Sequence, residues 1–123
     1  MHTVFVYGSL KRGFFNHALL RGSEFLGEGV TELSDYTMQD LGFYPGVFHG
    51  GKTRIHGELY SVDDTTLMIM HRLEGHPNFY RATPTRIETD GGIVDALMYV
   101  LDSNMRWGQG IIESGNWNYV YKN

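Results

Sequence analysis

Tyr80-Arg81-Ala82-Thr83-Pro84-Thr85-Arg86-Ile87-Glu88, a turn at Asp90-Gly91-Gly92, and Ile93-Val94-Asp95-Ala96-Leu97-Met98-Tyr99-Val100-Leu101 read as two strands folded back on each other. A tight turn carrying glycine between two runs of strand-forming residues is the pattern of a β-hairpin. Strands joined in hairpins, rather than alternating with helices, predict an α+β domain or a small closed barrel.

Working upstream, residues 54–62 alternate as a strand. Asp63 and Asp64 offer an N-cap to a helix in which Leu67, Met70 and Leu73 recur at helical spacing as far as Glu74. Gly75 is placed to end that helix and Pro77 prevents its resumption. Residues 24–31 and 35–41 read as strands, and residues 3–7 as a strand closed by a turn at Gly8. Residues 8–15 read as a loop, with Asn16 as the cap of a short helix over residues 17–21 that Gly22 stops. Residues 42–51 hold four glycines and Pro45, which predicts a loop whose Phe43, Tyr44 and Phe48 pack down or line a pocket. The tail from residue 104 is aromatic and Gly-rich with little periodicity. The total is about six strands and two helices.

The chain has 123 residues, the size of one domain, expected to span 1–123 without a linker. It is 41% hydrophobic and 20% charged, so it can bury a core without staples. There is no cysteine, which removes a disulfide framework, a thiolate nucleophile and Cys-based zinc sites. Ten Lys and Arg against fourteen Asp and Glu, with no basic run, argue against a nucleic-acid partner. No apolar stretch reaches membrane-span length, and a soluble, cytoplasmic protein is expected. The six histidines show neither H-x-x-E-H nor H-E-x-x-H spacing, so no metal is expected. Tyr36, Tyr44, Trp107, Trp117, Tyr119 and Tyr121 read as core and barrel-end packing.

Two constellations could carry chemistry. In Tyr7-Gly8-Ser9-Leu10-Lys11-Arg12-Gly13 a strand runs straight into Gly-Ser, which can leave successive N–H groups converging on a carboxylate or oxyanion. Lys11 and Arg12 would add positive potential nearby. The same residues also fit a plain turn after an edge strand. Ser9 lacks the Gly-x-Ser-x-Gly elbow of a hydrolase nucleophile. In Leu73-Glu74-Gly75-His76-Pro77-Asn78-Phe79-Tyr80-Arg81, Glu74 falls at a helix C-terminus, where the dipole disfavours an anion and raises its pKa. Exclusion of water by Phe79 and Tyr80 would raise it further, towards a group that takes and returns a proton near neutrality. An exposed Glu paired with His76 or Arg81 fits the same spacing.

Together these segments resemble the γ-glutamylcyclotransferase-like family, in particular its γ-glutamylamine cyclotransferase branch. Val4-Phe5-Val6-Tyr7-Gly8-Ser9-Leu10-Lys11-Arg12-Gly13 is similar to that family's N-terminal signature, and Asn16-His17 before a Leu pair to that branch. Leu73-Glu74-Gly75-x-Pro77-x-x-Tyr80-Arg81 resembles the segment bearing its catalytic Glu. Leu41-Gly42-x-Tyr44-Pro45-Gly46 and Ser114-Gly115-Asn116-Trp117 are similar to motifs of its short bacterial members. The resemblance implies a small mixed β-barrel with a few short helices and a cavity at the end of the first strand. It implies that the α-amine of a γ-glutamyl amine or γ-glutamyl amino acid attacks its own γ-carbonyl, giving 5-oxoproline and a free amine with no cofactor. Glu74 would be general base and then acid, and Tyr7, Gly8, Ser9 and Leu10 would bind the glutamyl moiety through backbone amides. Tyr44, Phe43 and Tyr80 would be cavity walls. A non-enzymatic module binding a small carboxylate on the same fold is the alternative.

Overall fold

A computed structural model describes residues 1–102 and 110–118. The tail pattern and the packing expected of Trp107, Tyr119 and Tyr121 lie largely or wholly outside the described residues. Strands β1 (His2–Val6), β2 (Glu24–Thr31), β3 (Tyr36–Asp40), β4 (Pro45–His49), β5 (His56–Val62), β6 (Tyr80–Thr89), β7 (Gly92–Leu101) and β8 (Gly110–Ile111) form one sheet, with one α-helix, α1 (Asp64–Glu74), and a 3-10 turn at His17–Leu20. No helix among the described residues is long and apolar enough to cross a membrane.

Neighbouring strands run β1-β5-β2-β6-β7, and β7 pairs back onto β1, so five strands close into a barrel. The β6–β7 hairpin is paired in unbroken register from Tyr80↔Leu101 to Thr89↔Gly92. One edge of β7 serves two parallel partners: β1 at Val4↔Leu97 and Phe5↔Met98, then β4 at Phe48↔Leu101. Between these pairings Tyr7 Oη donates to the Tyr99 carbonyl at 2.6 Å. The chain of β1 turns away at this handover, and that is where the barrel can open.

The period-two alternation of the strands sorts their side chains into two clusters. Phe5, Leu59, Ile87 and Met98 fill the barrel and continue to Met38 and Val47 on β3 and β4. Val4, Val6, Tyr60, Tyr99 and Leu101 point the other way and are covered by Leu20 of the 3-10 turn and Met70 of α1. Tyr36 and Trp117 are buried in the first cluster.

Helix α1 has the caps its sequence predicts. Asp63 accepts a hydrogen bond from the Thr66 N–H at 2.7 Å, and Gly75 adopts the left-handed conformation (φ 68°, ψ 33°) with its N–H on Arg72 O. Two expectations are corrected. Residues 42–51 are not a loop: β4 lies within them and pairs with β3 from Tyr36↔His49 to Asp40↔Pro45. Gly46 is there for space, because a Cβ would sit 2.5 Å from Leu101 Cδ1 and 2.9 Å from Leu41 Cδ1. The side chain of Asn16 does not cap the following turn; its amide donates to Ser9 Oγ at 2.9 Å.

Thr31 shows how the barrel settles a buried polar group. Fully buried, its hydroxyl accepts from the Ile55 N–H and donates to Leu33 O, each at 2.9 Å. Thr31→Val keeps the shape but strands a buried N–H, at a cost of about 1–2 kcal/mol. Urea unfolding should show a lower midpoint at unchanged slope.

Candidate active site

The turn after β1 is shaped by what it rests on. A Cβ at Gly8 would lie 2.7 Å from Pro45 Cδ and 2.9 Å from Cγ, so only glycine lets the turn lie on the start of β4. The Lys11 N–H closes the turn on Gly8 O, and Asn16 holds Ser9 through both its backbone N–H and its amide. The N–H groups of Gly8, Ser9 and Leu10 meet no acceptor among the described residues. The three residues border a cavity of about 340 Å³.

Glu74, the last residue of α1, lines the same cavity. Met70, packed against the barrel one helical turn earlier, fixes the helix, and the left-handed Gly75 reverses the chain so that Phe79 and Tyr80 return to the cavity wall. Tyr80 Oη donates to Pro45 O at 2.7 Å, joining this return to β4. Burial pushes the Glu74 carboxyl up to about 7, so the cause is lost water. Burial, reinforced by the Glu74 charge, also raises the Tyr7, Tyr80 and Tyr99 hydroxyls, which places all three within reach of its field.

Neither His76 nor Arg81 forms an ion pair with Glu74 among the described residues; His76 Nδ1 accepts the Ala82 N–H at 3.0 Å. Seven of the residues singled out from the sequence, Tyr7, Gly8, Ser9, Leu10, Tyr44, Glu74 and Tyr80, line this one cavity. Phe43 does not; it is 70% exposed. Lys11 and Arg12 do not lend their charge either. Lys11 is buried with its Nζ on Trp117 O at 2.7 Å, and Arg12 lies over the Phe25 ring near Glu58 and Glu28, both facing away from the cavity. No group of three His, Asp or Glu among the described residues could hold a metal ion.

Phe15, Asn16, Leu73 and Tyr99 are among the lining residues that sequence reasoning did not assign to the cavity. Tyr99 Oη and His71 Nδ1 are 2.8 Å apart, so α1 and β7 are tied together beside Glu74. Strand period groups Leu97, Tyr99 and Leu101 on one face, but only the pairing of β7 with its neighbours shows that this face meets a cavity.

The same barrel recurs in solved structures of other proteins. The crystal structure of a mouse AIG2-like protein has a TM-score of 0.75 to this chain at 29% identity, covering 81% of this chain and 76% of that one. The solution structure of Escherichia coli ytfP scores 0.63 at 34% identity, covering 94% and 96%. In sequence, a Vibrio cholerae protein provisionally named a gamma-glutamylcyclotransferase is 40% identical over 94% of this chain and 95% of its own length. The profile of the family described as gamma-glutamyl cyclotransferase, AIG2-like, matches residues 4–119. The chain belongs to that family.

Proposed function

We propose that the protein releases 5-oxoproline and a free amine from a γ-glutamyl amine or γ-glutamyl amino acid. One observation carries this reading: a carboxyl held at about 7 shares a small cavity with the main-chain donors of Gly8, Ser9 and Leu10. The substrate's α-amine nitrogen attacks its own γ-carbonyl carbon. Glu74 takes the proton that the amine sheds. As the amide C–N bond breaks, Glu74 returns that proton to the departing nitrogen, so atoms and charge balance without water. The nucleophile is already tethered, and well-oriented ring closures of this kind gain effective molarities of about 10⁵ M or more. The N–H groups of the turn receive the substrate carboxylate and the oxyanion.

The test is product analysis with purified protein, a panel of γ-glutamyl amines and γ-glutamyl amino acids, and chromatography for 5-oxoproline. Folded protein that forms none from any of them refutes the reading. The pH profile adds a second check. A base must be ionised, so kcat/KM should fall as pH drops through about 7. The substrate amine must also be neutral, and its own free α-carboxylate holds it above the value of about 8 of a chain N-terminus, so a second break is expected on the alkaline side of that value. A single break near the ordinary carboxylate value would remove Glu74 from the base role.

A further inference from the structure

Three tyrosine hydroxyls stand in the field of Glu74, and their protons are not equivalent. Tyr7 Oη gives its proton to Tyr99 O, and Tyr80 Oη gives its own to Pro45 O. A carbonyl only accepts, so both directions are fixed. The third hydroxyl, on Tyr99, meets His71 Nδ1 at 2.8 Å, and a ring nitrogen can either take a proton or give one. Which of the two it does decides what Tyr99 offers the cavity that it lines.

The surroundings of His71, one helical turn before Glu74 on α1, settle the choice. Its ring lies against that of His76, with centroids 4.3 Å apart and planes 28° from parallel, and stands edge-on to Tyr99. His76 Nδ1 accepts the Ala82 N–H, so that ring is held in place with its own hydrogen on Nε2. Burial holds His71 below its ordinary pKa, and His76 and His2 oppose a charge there as well. A neutral His71 has one bare ring nitrogen. Were it Nε2, Nδ1–H would donate to Tyr99 Oη and turn the Tyr99 proton towards Glu74. No side chain among the described residues donates to the Glu74 carboxyl. Such a bond would hold that carboxyl's pKa down, whereas burial holds it up.

We propose that His71 is a positioning residue: its Nδ1 accepts the Tyr99 proton, so that the Tyr99 oxygen faces the substrate's α-amine as an acceptor. His71 serves this reaction only under the cyclotransferase reading; the direction of the Tyr99 proton does not depend on it. The attacking nitrogen needs its lone pair aimed at the γ-carbonyl carbon. A neutral amine has two N–H bonds, one for Glu74 and one for the Tyr99 oxygen, and held in this way it keeps the pair free. A hydroxyl proton pointing into the cavity would bind the pair itself.

Ring ¹⁵N spectra of the full chain at pH 8 read the proton's direction, the His71 signals being those lost in His71→Asn. A bare Nδ1 and a protonated Nε2 are expected; hydrogen on Nδ1 overturns the assignment. Kinetics read the role. His71→Phe keeps a ring but removes the acceptor, and should lower kcat by roughly tenfold, the scale of one hydrogen bond. His71→Asn places a side-chain carbonyl where Nδ1 stood and should restore most of the loss. In a Tyr99→Phe background the His71→Phe exchange should change nothing, because the proton that it steers is gone. A loss of equal size in both backgrounds, or a parental kcat in His71→Phe, overturns the positioning role. If the parent forms no 5-oxoproline from any γ-glutamyl compound, the cyclotransferase reading fails. The ring spectrum then still decides whether His71 takes the Tyr99 proton.

Discussion

Glu74→Gln should lower turnover of a γ-glutamyl substrate by about 10²–10⁴-fold and at pH 8 yield a protein more stable than its parent by about 3 kcal/mol. The two effects have one origin. Glutamine fills the space of the carboxyl but exchanges no proton, so the ring-closing amine has nowhere to discharge its own. The carboxyl to which we assign this work is held at about 7 instead of 4.5 because burial disfavours its charge. Its native state therefore binds more protons than its unfolded state between those two pH values, and stability falls as pH rises through that window. Below about 4.5 the acid is neutral whether folded or not, and the variant should match the parent. Above about 7 the parent carries the full cost of a buried carboxylate and the variant does not. Urea unfolding at pH 5 and pH 8 reads the difference. Equal stability of the two proteins at pH 8 would show that the carboxylate is well solvated, and the activity loss would then need another cause. A site that gains stability when its acid is neutralised is one in which fold stability has been given up for chemistry.

Most of the architecture was legible because the elements obey local rules. The strand at residues 24–31, the Asp90-Gly91 hairpin and helix α1 with both caps follow from alternation, turn chemistry and capping alone. The misreadings arose where a residue serves a distant partner. Gly46 and Pro45 look like loop formers, yet Gly46 admits Leu101 and Leu41 against the backbone, and Pro45 begins a strand with its carbonyl on Tyr80. Asn16 has the chemistry of a cap and spends it on Ser9, so it stiffens the turn beside the cavity instead of the helix after it. Lys11 and Arg12 are next to the turn in sequence, but Trp117 O holds the one and Glu58 attracts the other, and neither lines the cavity. Glu74 was found by position, and of the two expected causes of its raised pKa, the helix end and water exclusion by Phe79 and Tyr80, burial is the one that acts, with both rings in the cavity wall.

Gly8→Ala should reduce kcat/KM by about 10²-fold, the loss that follows when reacting groups are displaced by about 1 Å, while the barrel stays folded. The added methyl has no open side to enter. It meets Pro45 Cδ and Cγ at 2.7 and 2.9 Å, and a proline ring cannot swing away as the end of a long side chain can. Either the turn lifts, carrying the N–H groups of Gly8, Ser9 and Leu10 with it, or the start of β4 retreats. If β4 retreats, Pro45 O moves from the hydroxyl of Tyr80, and the wall beside Glu74 shifts as well. Both movements separate Glu74 from the N–H groups of the turn, so in the proposed reaction the defect should fall on kcat more than on KM. The core clusters are not the site of the clash, and the unfolding transition should remain cooperative. Gly91→Ala supplies the control: in the hairpin turn the new methyl comes no nearer than 3.9 Å to Thr89 Oγ1, so activity should be unchanged. Full activity in Gly8→Ala would mean that the turn does not hold the substrate at all, since no arrangement of its amides survives that methyl unmoved.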